Sequence, residues 1–169
     1  MSSITTRPAT DDDVADLAPR LRQPDLDALA AAFPTLSAAD ALKLAKDRGE
    51  CHVACLDGRL VGLFGITASP LRPTRGFPWF AMTAEALGSE ATIADLLRLS
   101  ARLVEDWQGR CPELVTMNDP RNAAYADWLK FLGFVAMGEA PTASGHPFTL
   151  HYREAPRAPS SSPLHPENS

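Results

Sequence analysis

Several features that mark secreted, membrane and disulfide-stabilised proteins are missing from this chain of 169 residues. Its three cysteines are an odd set without the spacing of a disulfide framework or a metal site, so we expect a reducing compartment. No apolar run reaches the ~20 residues that span a bilayer. The opening MSSITTRPATDDD lacks the apolar core of a signal peptide. We therefore expect a cytoplasmic protein with no membrane partner and no metal.

The chain also lacks a block of basic residues. It has 16 Lys+Arg against 21 Asp+Glu, a formal net charge of −5. A nucleic-acid-binding surface needs clustered positive charge, so we expect no nucleic-acid partner. The hydrophobic share of 45% and the charged share of 22% are typical of a globular domain.

Turn residues and hydrophobic spacing predict alternating strands and helices. SITTR predicts a first strand, and VADLAPRLR, PDLDALAAAF and AADALKLAKDRG predict three helices. Asp57-Gly58 separates two β-prone runs and predicts a hairpin. Then FPWFAMTAEAL predicts a strand, TIADLLRLSARLVEDWQG a helix, ELVTMN a strand, NAAYADWLKFLG a helix, and FVAMGEA and PFTLHYRE two strands.

The predicted domain covers residues 1–154. From residue 155 onward the sequence is APRAPSSSPLHPENS, in which proline and serine dominate. Such a segment has little apolar surface to bury, so it predicts a C-terminal tail of residues 155–169 that is disordered unless an assembly partner binds it.

This order of elements resembles the GCN5-related N-acetyltransferase (GNAT) superfamily over residues 4–154. Many members carry Asn-x-x-Ala-x-x-Leu-Tyr-x-x-x-Gly-Phe on the last helix, and NAAYADWLKFLGF occupies that motif in register. The Asn and the Gly-Phe match, whereas Tyr125, Trp128 and Leu129 replace the Ala, the Leu and the Tyr. The same segment, with the closing HPFTLHYRE, also resembles GNAT-like proteins of short-tailed phages, some of them internal virion proteins. The resemblance implies an α/β (α+β) fold with a mixed, mostly antiparallel central sheet flanked by helices.

The resemblance further implies transfer of an acetyl group from acetyl-CoA to an amine. The family's phosphate loop, Arg/Gln-x-x-Gly-x-Gly/Ala, corresponds to SEATIA, in which Ser89 replaces the Arg/Gln, Thr92 replaces the first Gly and Ala94 keeps the last position. Glu90 and Asp95 add negative charge where a pyrophosphate would bind, so we expect weak cofactor binding. The favoured alternative is that Thr92 caps the helix, with Asp95 completing a capping box.

By the same resemblance, acetyl-CoA would be bound by residues at the end of the fourth strand, in the phosphate loop and at the starts of the two helices that follow. These residues are Met82, Thr83, Gly88, Ser89, Thr92, Ile93, Ala94 and Asn122. Asn122 is also expected to cap its helix, and the two roles are compatible.

Glu85 is the candidate general base. Alternation along the predicted strand places it on one face with Trp79, and a carboxylate beside Trp79 or Phe80 would have a raised pKa. The alternative is a solvated glutamate at the strand end. Trp79 and the other two tryptophans are predicted to be core residues, as are Cys51 and Cys55.

The general acid is less well supported. In the family, a tyrosine of the last helix protonates the leaving thiolate, but Leu129 cannot donate a proton. Tyr125, one turn earlier, is a weak candidate. Residues 125, 128, 129 and 132 also have the spacing of one buried helical stripe, which favours core packing, with Leu129 at the edge of the stripe next to Trp128.

Two functions remain open from the sequence. The first is an acetyl-CoA-dependent N-acetyltransferase with a degenerate phosphate loop and no tyrosine acid, acting on an unidentified amine in the cytoplasm of a bacterium or phage-infected cell. The second is a non-enzymatic, virion-associated phage protein built on the same fold.

Overall fold

A seven-stranded sheet with the strand order β1-β2-β3-β4-β5-β7-β6 forms the centre of the molecule. The computed structural model describes residues 3–156. The strands are β1 Ile4–Pro8, β2 Glu50–Leu56, β3 Arg59–Ala68, β4 Arg75–Met82, β5 Glu113–Asn118, β6 Val135–Pro141 and β7 Pro147–Glu154. The helices are α1 Asp11–Leu17, α2 Gln23–Ala32, α3 Ala38–Asp47, α4 Glu90–Arg110 and α5 Ala123–Phe131. The predicted mixed, mostly antiparallel fold is confirmed, since β4 and β5 are the one parallel pair among these strands.

Turn chemistry fixes the β2–β3 hairpin where the sequence predicts it. Asp57 has φ 49° and Gly58 φ 81°, so both central residues occupy the left-handed region that a tight two-residue hairpin turn requires. The predicted tail lies outside the described residues except for Ala155 and Pro156. The Ala155 N–H donates to the Pro112 carbonyl at 3.0 Å.

Each face of the sheet is covered by its own group of helices. α1 and α3 pack against one face, where Cys51 and Cys55 are buried free thiols, as predicted. Burial raises the pKa of the Cys51 thiol to about 12. α4 and α5 pack against the opposite face in a second core, which contains Trp107 and Trp128.

β4 and β5 pair with each other over only a short part of their lengths. Their pairing is limited to Arg75 with Glu113 and Gly76 with Leu114, after which the two strands separate. The sheet therefore has a gap between the carboxyl-terminal halves of its two parallel strands. In open α/β sheets, ligands bind at such points.

Leu129 lies in the core between α4 and α5 and is 0% exposed. The predicted buried stripe is confirmed, because Tyr125, Trp128 and Leu132 are buried as well. The expected position of Leu129 at the edge of the stripe is wrong, since its side chain is fully enclosed in the core that α4 and α5 share.

We expect Leu129→Tyr to lower the free energy of unfolding by ~1–3 kcal/mol through overpacking, with a further loss if the hydroxyl is left unpaired. Chemical denaturation measures the change. Phe131→Tyr on the same helix is the matched control, since Phe131 is 62% exposed, and it should shift stability by less than ~0.5 kcal/mol. Equal effects of the two substitutions would contradict the packed position of Leu129.

Candidate active site

The edge of β4 that borders the gap is already hydrogen-bonded to other parts of this chain. The Thr83 N–H donates to Val61 of β3 at 2.9 Å, so the preceding residue, Met82, turns its backbone groups toward the gap. The Met82 N–H donates to Asp25 Oδ2 at 3.0 Å. The Met82 carbonyl accepts from the Arg22 N–H at 3.0 Å. Met82 and Thr83, both assigned to acetyl-CoA by the resemblance, thus have their backbone N–H groups engaged internally.

Asp25 is the centre of a buried polar network. Its carboxylate also accepts from Arg22 Nε at 3.2 Å and Nη2 at 2.8 Å, and from Asn122 Nδ2 at 2.9 Å. Asn122 Oδ1 accepts from the Tyr125 N–H at 3.2 Å, which confirms the predicted cap of α5. The network therefore joins α2, the end of β4 and the start of α5 around the gap.

Tyr125 fills the gap itself. Its ring belongs to the core under α4, lies 6.1 Å from the Phe80 ring, and also lines a cavity on the other face of the sheet. The hydroxyl faces the Thr116 side chain and the Phe80 backbone, and burial raises the pKa of Tyr125. Tyr125 is a core residue, as the stripe predicts, and it also holds its proton at neutral pH in the gap.

The predicted phosphate loop is a helix cap. α4 begins at Glu90, and Ser89 Oγ accepts from the Thr92 N–H at 3.1 Å. The capping box predicted for Thr92 and Asp95 is therefore wrong, because Thr92 lies buried in the first turn and Asp95 pairs with Arg98 instead.

The other loop residues assigned to acetyl-CoA form the turn before α4 and the first turns of that helix. The Gly88 N–H donates to the Glu85 carbonyl at 3.1 Å and closes a 3-10 turn. Ile93 and Ala94 are half-buried in the first turns of α4, and the Ile93 N–H donates to the Ser89 carbonyl at 3.0 Å. Glu90 is exposed in the first turn, so a negative charge stands at this helix N-terminus.

Glu85 does not lie on a strand. β4 ends at Met82, and Glu85 belongs to the 3-10 turn Ala84–Leu87. Its carboxylate lies 2.7 Å from Arg59 and 3.8 Å from Arg20. Hydrogen bonding from Thr83, with the two arginines adding, lowers the pKa of Glu85. The expected strand position and raised pKa are both wrong, because the chain turns away from the sheet one residue after β4.

A cavity of 480 Å³ opens on the α2–α3 side of the gap. Its walls are mostly apolar and come from α2, α3, β4, β5 and β7. Trp79 was predicted to be a core residue but is half-buried and lines this cavity. Gly65 of β3 makes room for it, since a Cβ at that position would come within 2.4 Å of the Trp79 ring. Trp79 Nε1 and Asn118 Oδ1 are buried without a hydrogen-bond partner.

An acidic group lies in the cavity wall where β5 ends. Asp119 is 2% exposed and lines the cavity. Arg121 Nη2 lies 2.6 Å from its carboxylate and His146 Nε2 lies 3.1 Å away. Hydrogen bonding from Arg121, with a smaller effect of His146, lowers the pKa of Asp119 to about 2. No local sequence pattern predicts this cluster, because Asp119 and His146 lie 27 residues apart in the chain.

Among residues 3–156, no group of three or more His, Cys, Asp or Glu side chains could hold a metal ion. No helix of that part of the chain is long and apolar enough to cross a membrane.

No family model matches the sequence, and no curated protein matches it. Solved structures do match. The ribosomal-protein-S5-alanine acetyltransferase from Vibrio fischeri is 18% identical with a TM-score of 0.63, over 91% of this chain and 96% of that one. AAC(6′)-Ib in complex with ribostamycin and coenzyme A is 20% identical with a TM-score of 0.65, over 90% and 93%. A GNAT-family acetyltransferase from Streptococcus pneumoniae is 18% identical with a TM-score of 0.56, over 90% and 100%. The chain therefore has the fold of the GNAT acetyltransferases.

Proposed function

We propose that this chain is an acetyl-CoA-dependent N-acetyltransferase-like protein that takes an amine acceptor in the 480 Å³ cavity and holds acetyl-CoA weakly. The observation that carries the proposal is the cavity opening onto the β4–β5 gap of an acetyltransferase fold. In the similar AAC(6′)-Ib structure, coenzyme A and an amine-bearing antibiotic are bound together.

Two side chains suit the proton transfers of this reaction. The amine must lose a proton as it attacks, and the leaving thiolate must gain one. His146 is our candidate base, because its Nε2 lies 3.1 Å from Asp119, which belongs to the cavity wall, and its second ring nitrogen, Nδ1, is left to accept a proton. Tyr125 is the candidate acid, because its hydroxyl lies in the gap between Phe80 of β4 and Thr116 of β5. Acetyl-CoA, when bound, supplies the thioester.

The residues present fit the acyl end of acetyl-CoA better than its phosphates. The Ser89 side chain already caps the N-terminus of α4, and Glu90 adds a negative charge in its first turn. The β4 edge can accept a pantetheine arm only if Asp25 and Arg22 release Met82. Both features reduce affinity, because new contacts must replace existing ones.

A second candidate function is a non-enzymatic one, including the virion-associated protein that the phage resemblance implies. The closed α4–α5 side favours it. Trp128 Nε1 donates to Ser100 Oγ at 3.2 Å across the two helices, and Leu129 fills the space where the family has its tyrosine. Two observations together would favour this function over the first. The protein would neither hydrolyse acetyl-CoA nor transfer its acetyl group at millimolar cofactor, and it would be found in purified virions.

We expect the Kd for acetyl-CoA to exceed ~1 μM, which corresponds to about −8 kcal/mol. Glu90→Gln should tighten binding several-fold, since it removes the negative charge and leaves the Ser89 cap intact. Glu105→Gln, on the exposed side of the same helix, is the matched control and should change nothing. Calorimetry measures all three, and a submicromolar Kd for the unmodified protein would refute the weak-binding proposal.

We expect His146→Gln to lower kcat/KM for acetyl transfer ~10²-fold, because glutamine cannot accept the amine proton. Glu85→Gln should change the rate less than ~3-fold, since Glu85 is paired with Arg59 and Arg20 and its lowered pKa makes it a poor base. A thiol-release assay with thermal melts as the folding control measures both variants. The reverse pattern would return the base role to Glu85.

A further inference from the structure

We propose that the cavity selects a primary amine with an apolar, ring-sized body, and that the amino group binds at the Asn118–Asp119 end. The identification of this ligand as an acyl acceptor rests on the proposed function. The binding itself does not, because it follows from the lining of the cavity alone.

The walls specify the apolar body. Leu29 of α2 and Phe33, which directly follows α2, line the cavity with Phe77 and Trp79 of β4, and Leu150 of β7 adds to the wall. A volume of 480 Å³ lies within the ~300–1,000 Å³ of small-molecule sites. Phe77 is 39% exposed. A ring placed here would cover apolar surface that now faces solvent, which favours binding.

The polar end specifies a hydrogen-bond donor. Asn118 is 3% exposed and its Oδ1 has no partner, an unfavourable state for a buried acceptor. The carboxylate of Asp119, which follows it, lies in the same wall. The oxygens of Asp25 and Asp119 already accept hydrogen bonds, from Arg22, Met82 and Asn122 and from Arg121 and His146 respectively, so the free acceptor at this end of the cavity is Asn118 Oδ1. An ammonium group supplies the missing donor, whereas a carboxylate would bring its oxygens against the Asn118 acceptor.

The competing ligand chemistry is a carboxylate. Arg48, exposed at the end of α3, is the one cation among the described residues that line the cavity. A ligand held through Arg48 would carry an acid group and would be indifferent to the Asn118 acceptor. Two probes with the same body and opposite charge therefore separate the two possibilities.

The test is calorimetric titration of the full chain with 2-phenylethylamine and with 3-phenylpropionate. We expect the amine to bind at least tenfold more tightly than the acid. Asn118→Leu should weaken amine binding at least tenfold, because leucine has a similar size and cannot accept a hydrogen bond. Gln23→Leu makes the same amide-to-leucine change on the exposed start of α2, outside the cavity, and should leave both affinities unchanged. Equal binding of the two probes, or an unchanged amine affinity in Asn118→Leu, would overturn the proposal.

A second variant covers the case in which Asn118→Leu does not fold. Ala28 of α2 lines the cavity, so Ala28→Phe should fill it and abolish binding of the amine.

Binding of the amine should also change the fluorescence of Trp79, and Trp79→Phe should remove that signal. Retained amine binding in Ala28→Phe would place the ligand elsewhere and overturn the proposal. If the apolar amine binds but no acetyl transfer occurs, the proposed function alone is refuted. If acetyl groups are transferred to polar amines and the apolar amine does not bind, this inference alone is refuted.

Discussion

The buried carboxylate of Asp25 fixes the geometry on which the rest of the candidate site depends. A buried charge is tolerated only when it is paired and fully hydrogen-bonded. Asp25 meets that condition with Arg22 just before its own helix, Met82 at the end of β4 and Asn122 just before α5. Removing one of these partners would leave a buried charge partly unpaired, a loss of ~3–5 kcal/mol. The width of the gap between β4 and β5 is thereby set by electrostatics as well as by packing.

This constraint makes the two sides of the gap unlike each other. On the α4–α5 side, core side chains and the Trp128–Ser100 hydrogen bond fill the space next to the gap. On the α2–α3 side, the same gap opens into a cavity with an unsatisfied amide and a charged carboxylate. We therefore propose that the open side takes the acceptor and that the closed side binds the cofactor weakly. That asymmetry is the physical reason for proposing weak acetyl-CoA binding together with specific amine binding.

Local patterns account for the part of the structure that the sequence predicts well. The turn at Asp57-Gly58, the strand ELVTMN and the α5 stripe each depend on spacing within a few residues. Glu85 was misplaced because strand-like alternation continues in the sequence beyond Met82, whereas the backbone turns there. The bond between Asn122 and Asp25 joins residues 97 positions apart. The spacing of hydrophobic residues carries no information about such a long-range contact, so the network around the gap could not be predicted from one sequence.

The replacement of the family's tyrosine by Leu129 moves the phenol along the helix. Residues four apart lie on the same helix face, one turn above each other. Tyr125 therefore points toward the same sheet as Leu129 but meets it closer to the start of α5, where its hydroxyl reaches Phe80 and Thr116 in the gap. The space at position 129 is then free to be filled by a leucine that holds α5 against α4. A missing motif residue thus does not remove a proton donor from this gap, because the neighbouring turn of the helix provides one.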